Sequence, residues 1–147
     1  MKISTKGRYA LRMMLDLAYH QDEGYIALKD IARRQNISKK YLEQIVSLMR
    51  GPDILATSRG YRGGYRLARP PRDYTVGEIL RLTEGSLAPV ACLEEGADEC
   101  PRAAGCETLP VWQGLYTRIT DYLDSLTLQD IIDHTRENAP MDFVIKR

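Results

Sequence analysis

The chain lacks long hydrophobic runs, and Met13-Met14-Leu15 is typical of its longest apolar stretches. A membrane-spanning helix needs about 20 consecutive apolar residues, and a secretory signal needs an apolar stretch of roughly 7–15. We therefore predict a cytoplasmic protein that does not enter a membrane.

The chain also has little cysteine and few of the motifs that mark enzymes. Its three cysteines are an odd number in a compartment predicted to be reducing, which argues against a disulfide framework. None of them forms a Cys-x-x-Cys pair, and the sequence has no nucleotide fingerprint and no cluster of candidate general bases. An iron–sulfur or thiol oxidoreductase is therefore the least favoured function, and we predict that the protein is not an enzyme.

A net charge of only +1 conceals two halves of opposite sign. Residues 1–69 carry 14 Lys and Arg against 6 Asp and Glu, a net charge of +8, whereas residues 70–147 carry 7 against 14, a net charge of −7. A basic half indicates a polyanionic partner, and an acidic half with its own helical pattern indicates a separate task. Chance segregation of surface charge is the weaker explanation of so large a difference.

The basic half contains a helix-turn-helix pattern. A first helix begins at Ser4 or Thr5, a short second helix covers residues 28–34 and ends at Asn36, and a third begins at Ser38, whose hydroxyl can cap it. The third helix has an apolar stripe at helical spacing, formed by Leu42, Ile45, Val46 and Met49. Its other face is polar and contains Lys39, Lys40, Glu43, Gln44 and Ser47. Such a helix can offer its polar face to a DNA major groove, although a solvated surface helix has the same pattern.

A glycine-rich hairpin is predicted after this helix. Residues 54–58 and 65–68 have strand patterns, and the segment Arg59-Gly60-Tyr61-Arg62-Gly63-Gly64 connects them. A hairpin directly after a helix-turn-helix is a wing, and Arg59 and Arg62 at its tip are placed to contact phosphates or a minor groove. A nucleotide-binding loop is rejected because no Gly-Lys-Ser/Thr follows and no helix opens after the glycines.

The acidic half is predicted to contain a helix over residues 75–84, capped by Thr75 with Glu78 at the capping-box position, and a long helix over residues 108–125. Apolar residues recur along the long helix at alternating spacings of four and three: Trp112, Tyr116, Ile119, Leu123 and Leu126. We predict that they form a homodimer interface, and the alternative is packing against the protein's own domain.

These patterns together predict a mainly α fold, a winged helix-turn-helix with a small β-hairpin wing and a long C-terminal dimerisation helix. The predicted organisation is a winged-helix DNA-binding domain over residues 1–84, a cysteine-rich sensor loop over 85–107, dimerisation helices over 108–137 and a tail over 138–147.

The sensor loop holds Cys92, Cys100 and Cys106 within fifteen residues of polar sequence. Free cysteine is usually a buried structural residue, but this segment offers no apolar context for sulfur. Thiolates at such density bind a soft metal ion or an iron–sulfur cluster. A metal-free thiol sensor is the alternative.

Four motifs in this order and spacing resemble one family: Lys6-Gly7-Arg8-Tyr9-Ala10, Ser38-x-x-Tyr41-Leu42-Glu43-Gln44, Arg59-Gly60-x-x-Gly63-Gly64-Tyr65 and Val76-Gly77-Glu78-Ile79. It is the family of dimeric winged-helix transcriptional regulators that includes the iron–sulfur cluster regulator IscR, the nitric-oxide sensor NsrR and the cysteine-metabolism repressor CymR. The likeness covers nearly the whole chain and fades after about residue 137.

The resemblance implies a homodimer that binds a roughly palindromic operator in double-stranded DNA, with recognition helices in major grooves and wings in the minor groove. It places Ser38, Lys40, Tyr41, Glu43, Gln44 and Arg59 at the DNA. Glu43 can accept a hydrogen bond from a cytosine amino group while repelling phosphate, so it would select sequence at a cost in affinity. Non-specific attraction of phosphate is expected from Lys2, Arg8, Arg33, Arg34 and Lys39.

The resemblance also implies a [2Fe–2S] cluster, because cluster-carrying members hold three cysteines just before the long helix. By that likeness Cys92, Cys100 and Cys106 are cluster ligands. The iron–sulfur cluster regulator has a histidine three residues after its last cysteine, and here that position is Leu109. The fourth ligand could come from Asp98, Glu99, Glu107, the partner subunit or an exogenous thiol; we favour Glu107 because it adjoins Cys106.

The predicted function is therefore a DNA-binding transcriptional regulator, with repression the favoured sign. Its operator binding would be modulated by a [2Fe–2S] cluster that senses iron–sulfur, redox or nitric oxide status. The alternative is a cluster-free regulator of the same fold that senses thiol oxidation or a partner enzyme of cysteine metabolism.

Overall fold

A computed structural model of the chain describes residues 1–51 and 53–137, so the predicted tail at 138–147 lies outside the described residues. The helices are α1 (Thr5–Tyr19), α2 (Leu28–Gln35), α3 (Lys39–Leu48), α4 (Val76–Glu84), α5 (Leu109–Ser125) and α6 (Leu128–Glu137). Strands β1 (Leu55–Ser58) and β2 (Gly64–Leu67) pair antiparallel. The predicted mainly helical class with a hairpin after the third helix is confirmed.

Serine side chains start the first and third helices. The Ser4 hydroxyl accepts a hydrogen bond from the N–H of Gly7, and the Ser38 hydroxyl accepts one from the N–H of Tyr41, each at 3.1 Å. A first-turn N–H has no partner within its own helix, so each cap satisfies a group that would otherwise need water. The predicted start of both helices follows from this local chemistry.

The capping box predicted at α4 is only half formed. Thr75 accepts a hydrogen bond from the N–H of Glu78 at 3.0 Å, but the Glu78 carboxylate turns away and accepts one from Arg69 at 2.6 Å. Arg69 also donates to the backbone carbonyls of Asp53 and Asp73. Glu78 therefore helps Arg69 to hold together the chain before and after the wing.

One hydrophobic core joins the two ends of the chain. Its fully buried side chains include Met13 of α1, Ile31 of α2, Leu42 of α3, Ile79 of α4 and Leu128 of α6. Burial of a large apolar side chain contributes about 1.5–3 kcal/mol. Because Leu128 is one of these residues, the last helix packs back onto the helix-turn-helix and does not stand apart from it.

The wing is attached to the helices by a third extended segment. Ile26 and Tyr65 exchange two backbone hydrogen bonds of 2.8 Å in an antiparallel bridge. A Cβ atom at Gly64 would collide with the Ile26 carbonyl, so only glycine permits this approach. The base of the wing is therefore held against the segment that leads into α2.

The long helix α5 packs on α4 through a second, smaller apolar cluster. Val76, Leu80, Leu87 and Leu126 are buried in it. Arg81 of α4 donates two hydrogen bonds, of 2.6 and 2.9 Å, to the Asp124 carboxylate of α5. At 17 residues α5 is the longest described helix, and no described helix is both long and apolar enough to cross a membrane.

Candidate nucleic-acid interface and cysteine loop

The third helix presents a polar face because the core takes its opposite face. The predicted apolar stripe is buried and consists of Leu42, Ile45, Val46 and Met49. The residues predicted to face DNA from this helix and its cap are exposed, apart from the half-buried Tyr41: Ser38, Lys39, Lys40, Glu43 and Gln44. The polar face predicted to contact DNA is therefore exposed, as it would also be on a solvated surface helix.

Glu43 is the one carboxylate on that face, and it is loosely held. The Lys39 ammonium lies 4.0 Å from the Glu43 carboxylate, and both side chains are more than half exposed. An exposed pair at this distance contributes no more than about 0.5 kcal/mol, and a lysine N-terminal to its glutamate is the less favourable order. The carboxylate can therefore leave this pair at little cost to accept a hydrogen bond from a base edge.

Tyr41 is held in place by the first helix. Its ring meets Tyr9 edge to face, with centroids 5.6 Å apart. The Arg12 guanidinium lies 5.2 Å from the Tyr9 ring centroid and donates to the side chain and backbone carbonyl of Gln35. Edge-to-face pairs contribute about 0.5–1.5 kcal/mol beyond area burial. Sequence reasoning missed Arg12, which links α1, α2 and the start of α3.

A buried carboxylate on α1 clamps the second helix. Asp16 is 3% exposed and accepts hydrogen bonds from Arg34 at 2.6 and 3.0 Å and from Gln35 at 2.9 Å. His20 lies 3.6 Å from the same carboxylate. The bond to this carboxylate raises the pKa of Arg34 above its usual value. Arg34 is therefore a structural partner of Asp16 as well as a cation predicted to attract phosphate.

Asp16 could have been found from the sequence. It lies in the run Met13-Met14-Leu15-Asp16-Leu17, where a carboxylate interrupts the apolar face of a helix. Buried carboxylates need hydrogen-bonding partners, so the pattern indicates a buried pair. The sequence does not say which of the many arginines completes it, because that depends on how α2 crosses α1.

The other cations predicted to attract phosphate lie at the surface: Lys2, Arg8, Arg33 and Lys39. Arg33 makes an exposed pair with Asp30 at 3.2 Å, and Arg8 donates to Thr5 at 3.0 Å. Contacts of this kind are weak in water and exchange readily for a phosphate. Exposed cations therefore lie both in the N-terminal segment and in the helix-turn-helix.

Arg59 and Arg62 are exposed at the tip of the wing. Among residues 1–51 and 53–137, no carboxylate lies within 4.0 Å of either guanidinium. Tyr61 stands between them with its side chain fully exposed. The wing therefore presents two uncompensated cations and one aromatic ring.

The cysteine-rich loop over residues 85–107, called the cysteine loop from here on, has little regular structure. Two short 3-10 turns, Ala91–Leu93 and Ala103–Gly105, interrupt it. All three thiols are free; Cys92 is exposed, whereas Cys100 and Cys106 are half-buried. In the part of the chain that the structure describes, no three Cys, His, Asp or Glu side chains converge on a metal position. The exposed Glu107 follows Cys106 directly in the sequence. One of the two histidines, His20, is hydrogen-bonded to the backbone carbonyl of Asp16.

Cys106 has the surroundings of a reactive thiol. Cys106 lies three residues before the start of α5, and its sulfur is 3.5 Å from the Thr108 hydroxyl. The pKa of the Cys106 thiol is lowered, mainly by a hydrogen bond from the Thr108 side chain and to a smaller extent by one from the Thr108 backbone N–H. Thiolate is the form that binds metals and attacks disulfides, so this loop combines accessible sulfur with chemistry that favours coordination or oxidation.

The residues predicted for the dimer interface divide between two environments. Leu126 is buried in the cluster between α4 and α5, and Tyr116 and Leu123 are half-buried against the same cluster. Trp112 stays exposed and Ile119 half-exposed. The apolar stripe therefore packs in part against the protein's own α4, which was the alternative stated for it. Val111 and Leu115, which the stripe did not include, are exposed beside Trp112.

Comparison with known proteins agrees with this architecture. Residues 3–134 match the Rrf2 family model, described as an iron-dependent transcriptional regulator. The transcriptional regulator IscR of Pectobacterium atrosepticum is 37% identical over 91% of this chain and 80% of its own length. The transcriptional regulator CymR of Bacillus subtilis is 42% identical over 92% of both chains.

Solved structures give the same result. The structure of T. potens IscR is 38% identical, covers 94% of this chain and 90% of its own, and superposes with a TM-score of 0.73. That of B. subtilis CymR, called the global cysteine regulator, superposes with the same TM-score over 91% of this chain and 98% of its own. With its winged helix-turn-helix, its long α5 and these relatives, the chain belongs to the Rrf2 family of transcriptional regulators.

Proposed function

We propose that the protein acts as a homodimer that binds a palindromic operator, with α3 in the major groove and the wing in the minor groove. The observation that carries this proposal is the outer face of α3, where Glu43 and Gln44 stand exposed beside lysines over a fully buried stripe. Amide and carboxylate groups read base edges, whereas lysines supply attraction to phosphate that depends on salt. The favoured sign of regulation is repression.

The proposed dimer contact lies on the N-terminal part of α5. Val111 and Leu115 are spaced four residues apart, and the two residues are 59% and 44% exposed, with Trp112 beside them. Exposed apolar side chains grouped in this way indicate a protein interface. Trp112 and Ile119 are the predicted stripe residues that remain accessible to a partner, whereas Leu126 contributes within its own chain.

The cysteine loop is the proposed input. Three free thiols in the loop that leads into α5 have the donor chemistry for a [2Fe–2S] cluster, so Cys92, Cys100 and Cys106 would hold one, with Glu107 as the favoured fourth ligand. When bound, such a cluster supplies a centre that gains or loses an electron and that reacts with nitric oxide or oxygen. Oxygen ligation at the fourth position would make the cluster more labile than four thiolates would.

Two polar contacts offer a route from the loop to the DNA-binding face. The loop ends at the start of α5, and Asp124 of α5 is bonded to Arg81 of α4. At the end of α4, Glu84 accepts hydrogen bonds from the backbone N–H and the hydroxyl of Ser4, which caps α1. A change in the position of α5 would thus reach α1, which in turn holds Tyr41 through Tyr9.

A cluster-free thiol switch is the second candidate. The specific observation in its favour is that all three thiols are free and that Thr108 favours the thiolate of Cys106. Oxidation of two thiols to a disulfide would restrain the loop without any metal. A regulator of this kind could instead respond to a partner enzyme of cysteine metabolism.

The test is a selection of bound duplexes from a random DNA pool, run in parallel with protein reconstituted anaerobically with iron and sulfide and with untreated protein. We expect palindromic sequences from at least one form and a visible absorption band from the reconstituted one. No band after reconstitution, together with a disulfide among the three cysteines after mild oxidation, would replace the cluster with the thiol switch. Failure of both forms to enrich any sequence would overturn the operator proposal.

A further inference from the structure

The wing carries an aromatic side chain that the proposed function has not used. Tyr61 has a relative exposure of 104%, so its ring touches almost nothing else in the chain. Single exposed apolar side chains are common on protein surfaces and need no explanation by themselves. The position of Tyr61 in the wing is what makes it informative, and the inference below rests on the proposed DNA contact of that wing.

Tyr61 lies at the centre of a tight turn. The N–H of Gly63 donates to the carbonyl of Gly60 at 2.9 Å, which closes a four-residue turn with Tyr61 and Arg62 as its central pair. Gly60 has a φ of +103°, a conformation that side chains with a Cβ rarely adopt. The turn is therefore a defined structure that points its two central side chains away from the strands.

The base of the turn is also held in place. Ser58 pairs with Gly64 at the end of the hairpin, and the neighbouring Tyr65 is bonded to Ile26. Tyrosine loses only two side-chain torsions when it becomes ordered, so a ring on a restrained turn binds at a low entropic cost. The wing thus restrains the backbone from which the Tyr61 side chain projects.

The charges around Tyr61 indicate what it meets. Arg59 and Arg62 flank it, both exposed, and no described carboxylate lies within 4.0 Å of either. Two uncompensated arginines around an aromatic ring suit a polyanion that also offers apolar surface. The minor groove of DNA does so, because its walls are sugars and its floor carries only hydrogen-bond acceptors at A·T pairs.

We propose that Tyr61 is a DNA contact of the wing that supplies an apolar and base-edge component distinct from the arginine charges. Its ring packs against the sugars of the minor-groove wall, and its hydroxyl donates to an acceptor on the groove floor. Arg59 and Arg62 hold the phosphates on either side. Tyr61 thereby sets both affinity and the preference for A·T pairs beneath the wing.

The experiment measures binding to a duplex of about 30 base pairs, enough for two half-sites, recovered by the wild-type protein from a random pool. Fluorescence anisotropy over a series of salt concentrations gives the affinity and its salt slope for wild type, Tyr61→Ala, Tyr61→Phe and Arg59→Ala. Tyr19→Ala is the matched control, because Tyr19 is also an exposed tyrosine but lies at the end of α1.

We expect Tyr61→Ala to weaken binding about tenfold, equivalent to about 1.4 kcal/mol, without changing the salt slope. Tyr61→Phe should fall between wild type and Tyr61→Ala and should lose preference for A·T pairs. Arg59→Ala should instead lower the salt slope by about one, since one phosphate contact is lost. Tyr19→Ala should stay within about twofold of wild type, the level of change expected without a contact.

Three results would overturn the inference. Tyr61→Ala could bind as well as the Tyr19→Ala control, it could reduce the salt slope as Arg59→Ala does, or Tyr61→Phe could be as weak as Tyr61→Ala. Each of these leaves the operator proposal intact, because wild type and Arg59→Ala report on it separately. A wild-type protein that recovers no duplex from the pool would remove the operator proposal as well as the inference.

Discussion

The helix-turn-helix and the cysteine loop are held in place by different means. Every helix of the former buries part of a shared core, and polar contacts such as Asp16 with Arg34 fix how the helices cross. The loop over residues 85–107 has one buried side chain, Leu87, and only two short 3-10 turns. The surface of the helix-turn-helix that is predicted to contact DNA is therefore formed by packing within the chain, whereas the loop has little packing to restrain it.

This difference assigns separate roles to the two regions. A preformed surface pays little ordering cost on binding, so its affinity is set by its side chains. A loop without a core takes the conformation that its ligands or bonds impose, and α5 begins where that loop ends. Substitutions in the two regions should separate these roles, from the largest expected effect to the smallest.

The largest effect on stability is expected at Asp16. Asp16→Ala leaves Arg34 without its buried partner, and removal of one member of such a pair costs about 3 kcal/mol, less here because Arg34 is partly exposed. The free energy of unfolding, measured by urea denaturation, should fall by about 2–3 kcal/mol. Asp30→Ala, which breaks the exposed pair with Arg33, is the control and should change it by less than about 0.5 kcal/mol. Equal losses of stability in the two variants would contradict the role of the Asp16–Arg34 pair in holding α2.

A moderate effect on specificity is expected at Glu43. Glu43→Ala should lose about 1–3 kcal/mol of discrimination at one base pair and bind unrelated DNA more tightly, because a carboxylate is removed from a cationic face. Lys40→Ala on the same helix should weaken binding to all sequences alike and lower the salt slope by about one. Binding titrations on the selected operator and on a scrambled duplex distinguish these outcomes. The assignment of Glu43 fails if Glu43→Ala weakens binding to all sequences alike, as Lys40→Ala is expected to do.

A smaller effect is expected at the contact between α4 and α5. Asp124→Ala removes two hydrogen bonds to Arg81, and this half-exposed pair contributes about 0.5–1 kcal/mol. If the pair transmits the state of the loop, the variant should also lose the difference in operator affinity between reconstituted and untreated protein. Asp121→Ala, an exposed carboxylate on the same helix, is the control. Retention of the full difference in Asp124→Ala would place the transmission elsewhere.

The smallest effect on stability is expected in the loop itself. Replacement of Cys92, Cys100 and Cys106 by Ser should change the free energy of unfolding of the metal-free protein by less than about 0.5 kcal/mol, because no buried contact is lost. The same variant should bind no iron on reconstitution, as read from visible absorption. Glu107→Ala tests the fourth ligand, and we expect it to speed loss of the absorption band in air. A stability loss near that of Asp16→Ala would falsify the view of the loop as an unrestrained input.

Much of the helix-turn-helix could be predicted because its signals are local. Ser38 caps α3 through a neighbour three residues away, and the stripe from Leu42 to Met49 needs only helical periodicity to be recognised. The capping role of Glu78 was misjudged, because Arg69 competes for the same carboxylate once the wing is folded. Local propensity cannot anticipate a stronger charged partner that arrives from elsewhere in the chain.

Long-range pairings could not be predicted for the same reason. Asp16 was visible as a carboxylate within an apolar face, but its choice of Arg34 depends on how α2 crosses α1. The stripe on α5 has the spacing of a dimer seam, yet Leu126 is buried against its own chain. Periodicity shows that a face is apolar, and it does not show which surface covers that face.

By itself the sequence determined where helices and wing begin, which face of α3 is polar and that three thiols lie close together along the chain. These properties follow from neighbours within a few residues, whose chemistry is the same in any fold. Tertiary structure decided that Arg34 pairs with the buried Asp16 and that Arg12 and Tyr9 hold Tyr41. It also decided that the Tyr61 ring is fully exposed at the tip of the wing. Such outcomes depend on which distant groups share the same space, and only the packed chain sets that.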